Sequence, residues 1–199
     1  KKDKIYFKSI SSGFLEKNKG VHLKNRQIKL NYLTKKDIRA IEIAKKNKIN
    51  NFALSFTNNI EDIKKFNLLL PKNSQKIYKI ETKSALKNLN SLLKNADNFL
   101  IDRGDLSKEI SIEEVPIAQR SIIKTSKKFK FKKIFIATNF LESMIQNSNP
   151  TRAESNDIYN SLEMGASGLV LAAETAIGKY PEKCILFLKS MIKKFKKKS

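Results

Sequence analysis

The chain has 199 residues, of which 40% are apolar, and it carries a formal net charge of +22. No apolar run approaches the roughly 18 to 20 residues of a membrane span, so we expect no membrane-spanning helix. The sequence opens on charged residues and not on a secretory signal, and its single cysteine, Cys184, excludes an internal disulfide. We therefore expect a cytoplasmic protein with one main domain and a sizeable core.

The high positive charge is the kind of composition that suggests nucleic-acid binding. However, only five of the 41 basic residues are arginines, and tryptophan is absent. The lysines fall mostly on predicted helix surfaces, without the interleaved aromatic side chains on which bases stack. Lysine, isoleucine and asparagine are abundant throughout, which indicates a codon bias of the whole proteome. We do not expect a nucleic-acid partner.

Residues 1 to 30 differ from the rest because they contain short alternating stretches typical of a small β module. Strands are predicted at residues 4–10 and 20–23. A helix is then predicted to begin after Thr34, with Asp37 as the acidic member of a capping box.

From residue 51 the chain alternates between short apolar strands and amphipathic helices. Strands are predicted at residues 51–57, 76–82, 98–104, 134–138 and 168–175. Helices are predicted at residues 60–70, 83–95, 112–128, 140–145, 151–164 and 181–194. This alternation is typical of α/β proteins in which helices cover a parallel sheet. Five strands are too few to close an eight-stranded barrel, so the sheet is open or the chain is a portion of a larger fold.

The clearest site signal follows the third strand, where an apolar run stops at Arg103-Gly104-Asp105. Between residues 97 and 114 there are six acidic side chains and two basic ones, in a chain that is otherwise strongly basic. On the second strand, period-two alternation places Lys79 and Glu81 on one face, so they leave the strand side by side. Because ligands gather at the carboxyl ends of parallel strands, these groups predict a site for a divalent cation and a phosphorylated substrate.

Several segments resemble pyruvate kinase, in that family's order and spacing along nearly the whole chain. They are Lys79-Ile-Glu81, Arg103-Gly-Asp-Leu106, Ile136-Ala-Thr-Asn-Phe-Leu-Glu-Ser-Met-Ile145, Asn149-Pro-Thr-Arg-Ala-Glu154 and Leu171-Ala-Ala-Glu-Thr-Ala-Ile-Gly-Lys-Tyr-Pro181. Each segment alone is a weak signal, whereas their joint order is specific.

The resemblance implies an α/β fold that is part of a TIM (β/α)8 barrel. Residues 1–28 would be the closing remnant of the family's small β-barrel domain. Residues 29–199 would supply the last five strands of the catalytic barrel with their helices. The first three strands, most of the β domain and the carboxyl-terminal regulatory domain are not matched.

The resemblance also implies the reaction, in which phosphate passes from phosphoenolpyruvate to ADP to give pyruvate and ATP in glycolysis. Lys79 would stabilise the phosphoryl group in flight, as a fixed cation can do for spread negative charge. Glu81 and Asp105 would bind Mg²⁺ through oxygen atoms. The family also uses K⁺, whose ligands lie in strands that this chain lacks.

Substrate binding is implied for the Arg103-Gly104-Asp105 turn and for Thr138. Gly104 and Asp105 would offer backbone N–H groups to the substrate carboxylate at the start of a helix. Thr138 would lie beside the enolate carbon and help order the proton relay, which makes it catalytic as well.

Departures from the family pattern keep alternatives open. They are Asp102, Ser107, Asn139 and the pair Ala172-Ala173. Asp102 adds negative charge near a bound anion, which is unfavourable unless its side chain points away. The chain is therefore a pyruvate kinase-like phosphotransferase or part of one, a non-catalytic relative, or a metal-dependent pyruvate or oxaloacetate lyase on a related barrel.

An incomplete barrel predicts self-association, because it leaves an unpaired edge strand and an uncovered apolar face. The resemblance places Arg152 at a subunit contact of the family, although a local salt bridge with Glu154 explains it equally well. We expect a homo-oligomer.

Overall fold

The computed structural model describes residue 6, residues 8–14 and residues 33–198. The strand predicted at 20–23 lies outside these residues, as does most of the proposed 1–28 remnant. Of the strand predicted at 4–10, residues 6 and 8–10 are described, and they are not in a strand. The predicted division at residue 28 therefore stays a prediction.

The described part alternates strands with helices, as predicted from the sequence. Its elements are α1 (Lys35–Lys46), β1 (Asn51–Leu54), α2 (Ile60–Leu69), β2 (Gln75–Ile80), α3 (Lys83–Lys87), α4 (Leu89–Asn95), β3 (Asn98–Asp102), α5 (Arg103–Glu109), α6 (Glu114–Ser126), β4 (Lys133–Ala137), a 3-10 helix (Glu142–Ile145), α7 (Arg152–Met164), β5 (Gly168–Val170), α8 (Ala173–Ala176) and α9 (Pro181–Lys198). All five predicted strands are present, and each ends one to five residues earlier than predicted because the chain there leaves the sheet.

The predicted capping box at the start of α1 is confirmed. The backbone N–H of Asp37 donates to Thr34 Oγ1 over 3.2 Å, and the Asp37 carboxylate accepts from the backbone N–H of Thr34 over 2.8 Å. Two of the orphan donors of the helix start are thereby satisfied. The helix predicted at 83–95 is divided at Asn88 into α3 and α4.

The five strands form one parallel sheet whose spatial order is the chain order, β1-β2-β3-β4-β5. Crossover connections between parallel strands are almost always right-handed. A sheet whose spatial strand order follows the chain order throughout therefore has its helices on one side. A doubly wound sheet requires a reversal. The described residues therefore form a segment of a (β/α)8 barrel, and the predicted fold class is confirmed.

The two faces of the sheet differ in burial. On the helix side, Ile80, Ile101 and Ile136 lie in neighbouring strands and are fully buried. On the opposite side, Lys79 is level with Leu100, which is level with Phe135, and all three are only half-buried. The core thus lies between the sheet and the helices, and burial of each large side chain there contributes about 1.5 to 3 kcal/mol. The half-buried face corresponds to the interior of the barrel.

None of the helices in the described ranges has the length together with the apolar character that crossing a membrane requires.

Candidate functional site

The first part of the site is an ion pair at the end of β2. Lys79 Nζ lies 2.6 Å from Glu81 Oε1, as the period-two alternation predicted. Glu81 is fully buried and also accepts a hydrogen bond from the backbone N–H of Phe56 through Oε2. Burial raises the pKa of Glu81 above its usual value, against the opposing effects of Lys79 and this N–H. A buried carboxylate of this kind needs a cation beside it.

The second part is Asp102, which follows at the end of β3 and points toward the same lysine. Asp102 Oδ2 lies 3.0 Å from Lys79 Nζ, so the ammonium group is bound by two carboxylates. Asp102 is also the N-cap of α5, because its Oδ1 accepts from the backbone N–H of Asp105 over 3.4 Å. Burial by itself lowers the pKa of Lys79, but Glu81 and Asp102 outweigh burial and raise it. Lys79 is therefore a fixed positive charge.

The third part is a group of carboxylates that could share one cation. Glu81, Asp102 and Asp105 each offer an oxygen atom, and these atoms lie within 4.8 Å of one another. Asp105 lies in the first turn of α5, where its Oδ1 forms an ion pair with Lys108 Nζ over 2.5 Å. Hard oxygen ligands in a compact group suit Mg²⁺. The donor set thus fits the divalent cation that the sequence predicted.

Thr138 follows β4 and connects it to the turn after β3. The backbone N–H of Gly104 donates to Thr138 Oγ1 over 2.9 Å, and that hydroxyl donates to the carbonyl of Ala137 over 2.6 Å. The backbone of Thr138 has φ +74°, a conformation that is unfavourable for a β-branched residue. Such conformations cost about 1 to 3 kcal/mol and persist where surrounding contacts hold them.

Arg103 is one of the groups that hold this loop. Its Nε and Nη2 donate to the carbonyl of Thr138, and its Nη1 lies 2.6 Å from Asp157 Oδ2 on α7. The guanidinium also lies 4.2 Å from the centre of the Phe140 ring. The sequence predicted Arg103 as a substrate-binding residue, which stays a prediction; in this structure its guanidinium contacts the loop and α7.

Glu174 holds the same loop from the other side. Its buried carboxylate accepts the backbone N–H groups of Phe140 and Leu141 through Oε1 and that of Ala172 through Oε2, over 3.1, 3.2 and 2.8 Å. In the sequence, Glu174 lies within one of the segments that resemble pyruvate kinase, but it was given no role. Asp157 was not predicted at all, because its partner lies 54 residues away along the chain.

The predicted residues converge at the carboxyl edge of the sheet. Lys79, Glu81 and Asp105 surround the ends of β2 and β3, and Gly104 joins them to Thr138 at the end of β4. A one-sided α/β sheet with lysine, carboxylates and a loop start at this edge defines a barrel protein whose site suits a phosphorylated ligand with a divalent cation.

Comparison with known proteins agrees with this class. The family model described as "Pyruvate kinase, barrel domain" matches residues 1–185. The chain is 41% identical to a pyruvate kinase of Thermotoga maritima over 189 residues, 94% of this chain and 40% of that protein. It is 36% identical to a pyruvate kinase of Methanocaldococcus jannaschii (97% of this chain, 44% of that protein) and 35% identical to plastidial pyruvate kinase 2 of Arabidopsis thaliana (92% and 32%). The chain belongs to the pyruvate kinase family, and it spans less than half the length of these relatives.

Proposed function

We propose that this chain carries the phosphoryl-transfer side of a pyruvate kinase active site, whose complete form converts phosphoenolpyruvate and ADP to pyruvate and ATP. The observation that supports the proposal most directly is the position of Lys79. Its ammonium group is fixed at the carboxyl edge of the sheet by Glu81 and Asp102, next to the turn at Gly104. Phosphoryl transfer involves little covalent chemistry by the protein, so a fixed positive charge beside the transferring group is the main requirement.

In this proposal Lys79 binds the phosphoryl oxygens and stabilises the charge that spreads over them during transfer. Glu81 and Asp105 hold Mg²⁺, which when bound neutralises substrate oxygens and orients them for in-line transfer. The backbone N–H groups of Gly104 and Asp105 bind the substrate carboxylate, in exchange for their present acceptors on Thr138 and Asp102.

Thr138 serves the proton transfer in this proposal. Its hydroxyl group donates to the carbonyl of Ala137, and this bond remains when the N–H of Gly104 leaves Thr138 for the substrate carboxylate. A hydroxyl oriented in this way can hold a proton near the enolate carbon of the product. Arg103 acts indirectly, because its guanidinium fixes the Thr138 carbonyl and pairs with Asp157.

The test is steady-state pyruvate formation from phosphoenolpyruvate and ADP by the full chain, with Mg²⁺ and K⁺ present. Lys79→Met removes the proposed phosphoryl-stabilising cation and should abolish turnover. Lys76→Met is the matched control, since Lys76 is a lysine on the opposite face of the same strand and should be dispensable.

The same preparation separates the other functions that the sequence left open. Pyruvate released from oxaloacetate without ADP would identify a lyase. Mg²⁺ binding through Glu81 and Asp105 without turnover of either substrate would identify a non-catalytic relative or a part of the enzyme that keeps half of the site. Assembly into oligomers and residence in the cytoplasm remain predictions.

A further inference from the structure

Lys79 differs from an ordinary anion-binding lysine because its ammonium group already forms ion pairs with two carboxylates. Glu81 and Asp102 both lie within ion-pair distance of its ammonium group, at 2.6 and 3.0 Å. Together the three groups carry a formal charge of −1. When no divalent cation is bound, an anion that approaches Lys79 therefore meets net repulsion from these three groups, and this repulsion is weakly screened because the side chains of Lys79 and Asp102 are only 21% and 12% exposed.

The two carboxylates are not equivalent. Glu81 is fully buried and anchored by the N–H of Phe56, so it cannot leave the lysine without losing that bond. Asp102 is bound less tightly, with a longer distance to Lys79 and a cap bond of 3.4 Å to the N–H of Asp105. Asp102 is the group that an incoming anion can displace.

We propose that Asp102 is a positioning residue that competes with anionic ligands for Lys79, so that its displacement limits how tightly this site binds phosphate. The inference rests on the proposed function, which assigns Lys79 to the phosphoryl group. Asp102 keeps the ammonium group oriented in the free protein and lowers the affinity of the site for anions. The negative charge that the sequence placed near the substrate thus acts directly on the lysine.

The experiment is calorimetric titration of the full chain with inorganic phosphate in the absence of divalent cations, so that the loss of a candidate metal ligand cannot affect the result. Asp102→Ala removes the competitor and should tighten phosphate binding by at least about tenfold, because a like charge beside a bound anion is unfavourable. The gain should vanish when Lys79→Met is added. Asp97→Asn is the matched control, because it removes an exposed aspartate paired with Lys132 and should leave phosphate affinity unchanged.

Asp102→Asn guards against an effect on folding, because asparagine is also a favourable N-cap and removes only the charge. It should give a gain in the same direction while the variant still unfolds cooperatively. Equal phosphate affinity in the wild type and both Asp102 variants would overturn the inference, and so would a gain that persists in the Lys79→Met background.

A parallel titration with phosphoenolpyruvate separates the inference from the proposed function. If phosphate shows the gain but phosphoenolpyruvate binds no more tightly than phosphate, the competition is real and the proposed substrate is wrong. If phosphoenolpyruvate binds in a Lys79-dependent way with no effect of Asp102, the proposed function survives and the competition is refuted. Absence of binding by every variant refutes both.

Discussion

Glu174 provides a quantitative test of how the loop after β4 is held. Its carboxylate is 1% exposed and accepts three backbone N–H groups, two through Oε1 and one through Oε2. Glu174→Gln keeps the size of the side chain but leaves one acceptor oxygen. The NH₂ group of the glutamine then faces the N–H of Ala172, and two donors cannot form a hydrogen bond. If the amide is reversed, the NH₂ group faces the N–H groups of Phe140 and Leu141 instead.

The cost follows from these contacts. A hydrogen bond to a charged group contributes about 1.5 to 3 kcal/mol, and a buried donor left without an acceptor costs about 1 to 3 kcal/mol. Since one such bond is lost and two others become neutral, Glu174→Gln should lower the free energy of unfolding by about 3 kcal/mol. Glu174→Ala, which leaves all three donors without an acceptor, should cost at least about 4 kcal/mol.

The assay is urea unfolding followed by circular dichroism, with Glu182→Gln as the control. Glu182 is an exposed glutamate in the first turn of α9, and its substitution should change stability by no more than about 0.5 kcal/mol. A value for Glu174→Gln as small as that of the control would refute the reasoning, because it would mean that the three N–H groups find other partners at no cost.

Three further predictions concern ion pairs and assembly. Without divalent cations, Lys79→Met should lower the free energy of unfolding by about 3 kcal/mol, because Glu81 is left as a buried carboxylate without its cation. In melting experiments at different pH values, this loss should shrink as the pH falls toward 4.5, because Glu81 then takes up a proton. Burial alone would raise the pKa of Glu154, but hydrogen bonds from Ser143 and Thr151 outweigh burial and lower this pKa below its ordinary value of 4.5. The folded state therefore binds fewer protons than the unfolded state, so stability should fall as the pH drops below 4.5, and Glu154→Gln should remove this dependence. Sedimentation should show oligomers, and a clean monomer would contradict the expectation drawn from the half-buried sheet face.

Sequence patterns sufficed for the five strands and the longer helices, because short apolar or alternating runs are separated there by amphipathic stretches. They missed the short helices α5 and α8, whose first residues were predicted as strand ends. They also sufficed for the pairing of Lys79 with Glu81, since both residues lie on one face of a single strand. The role of Asp102 could not be derived in this way, because it depends on the register between β2 and β3. Tyr78 is level with Phe99 and Ile80 with Ile101, so Glu81 and Asp102 follow at the same level. No local pattern encodes that register.

The loop after β4 shows why local propensity fails at the site. Threonine favours extended backbone, and the predicted strand accordingly continued through Thr138. In the structure β4 ends at Ala137 and Thr138 has a positive φ, because Arg103 binds its carbonyl while Glu174 binds the two N–H groups that follow Asn139. These contacts come from elements about 35 residues away on either side. They outweigh the local preference and fix the hydroxyl group against the N–H of Gly104. The orientation of Thr138 therefore depends on Arg103 and Glu174, and loosening either one should disturb the site before it unfolds the sheet.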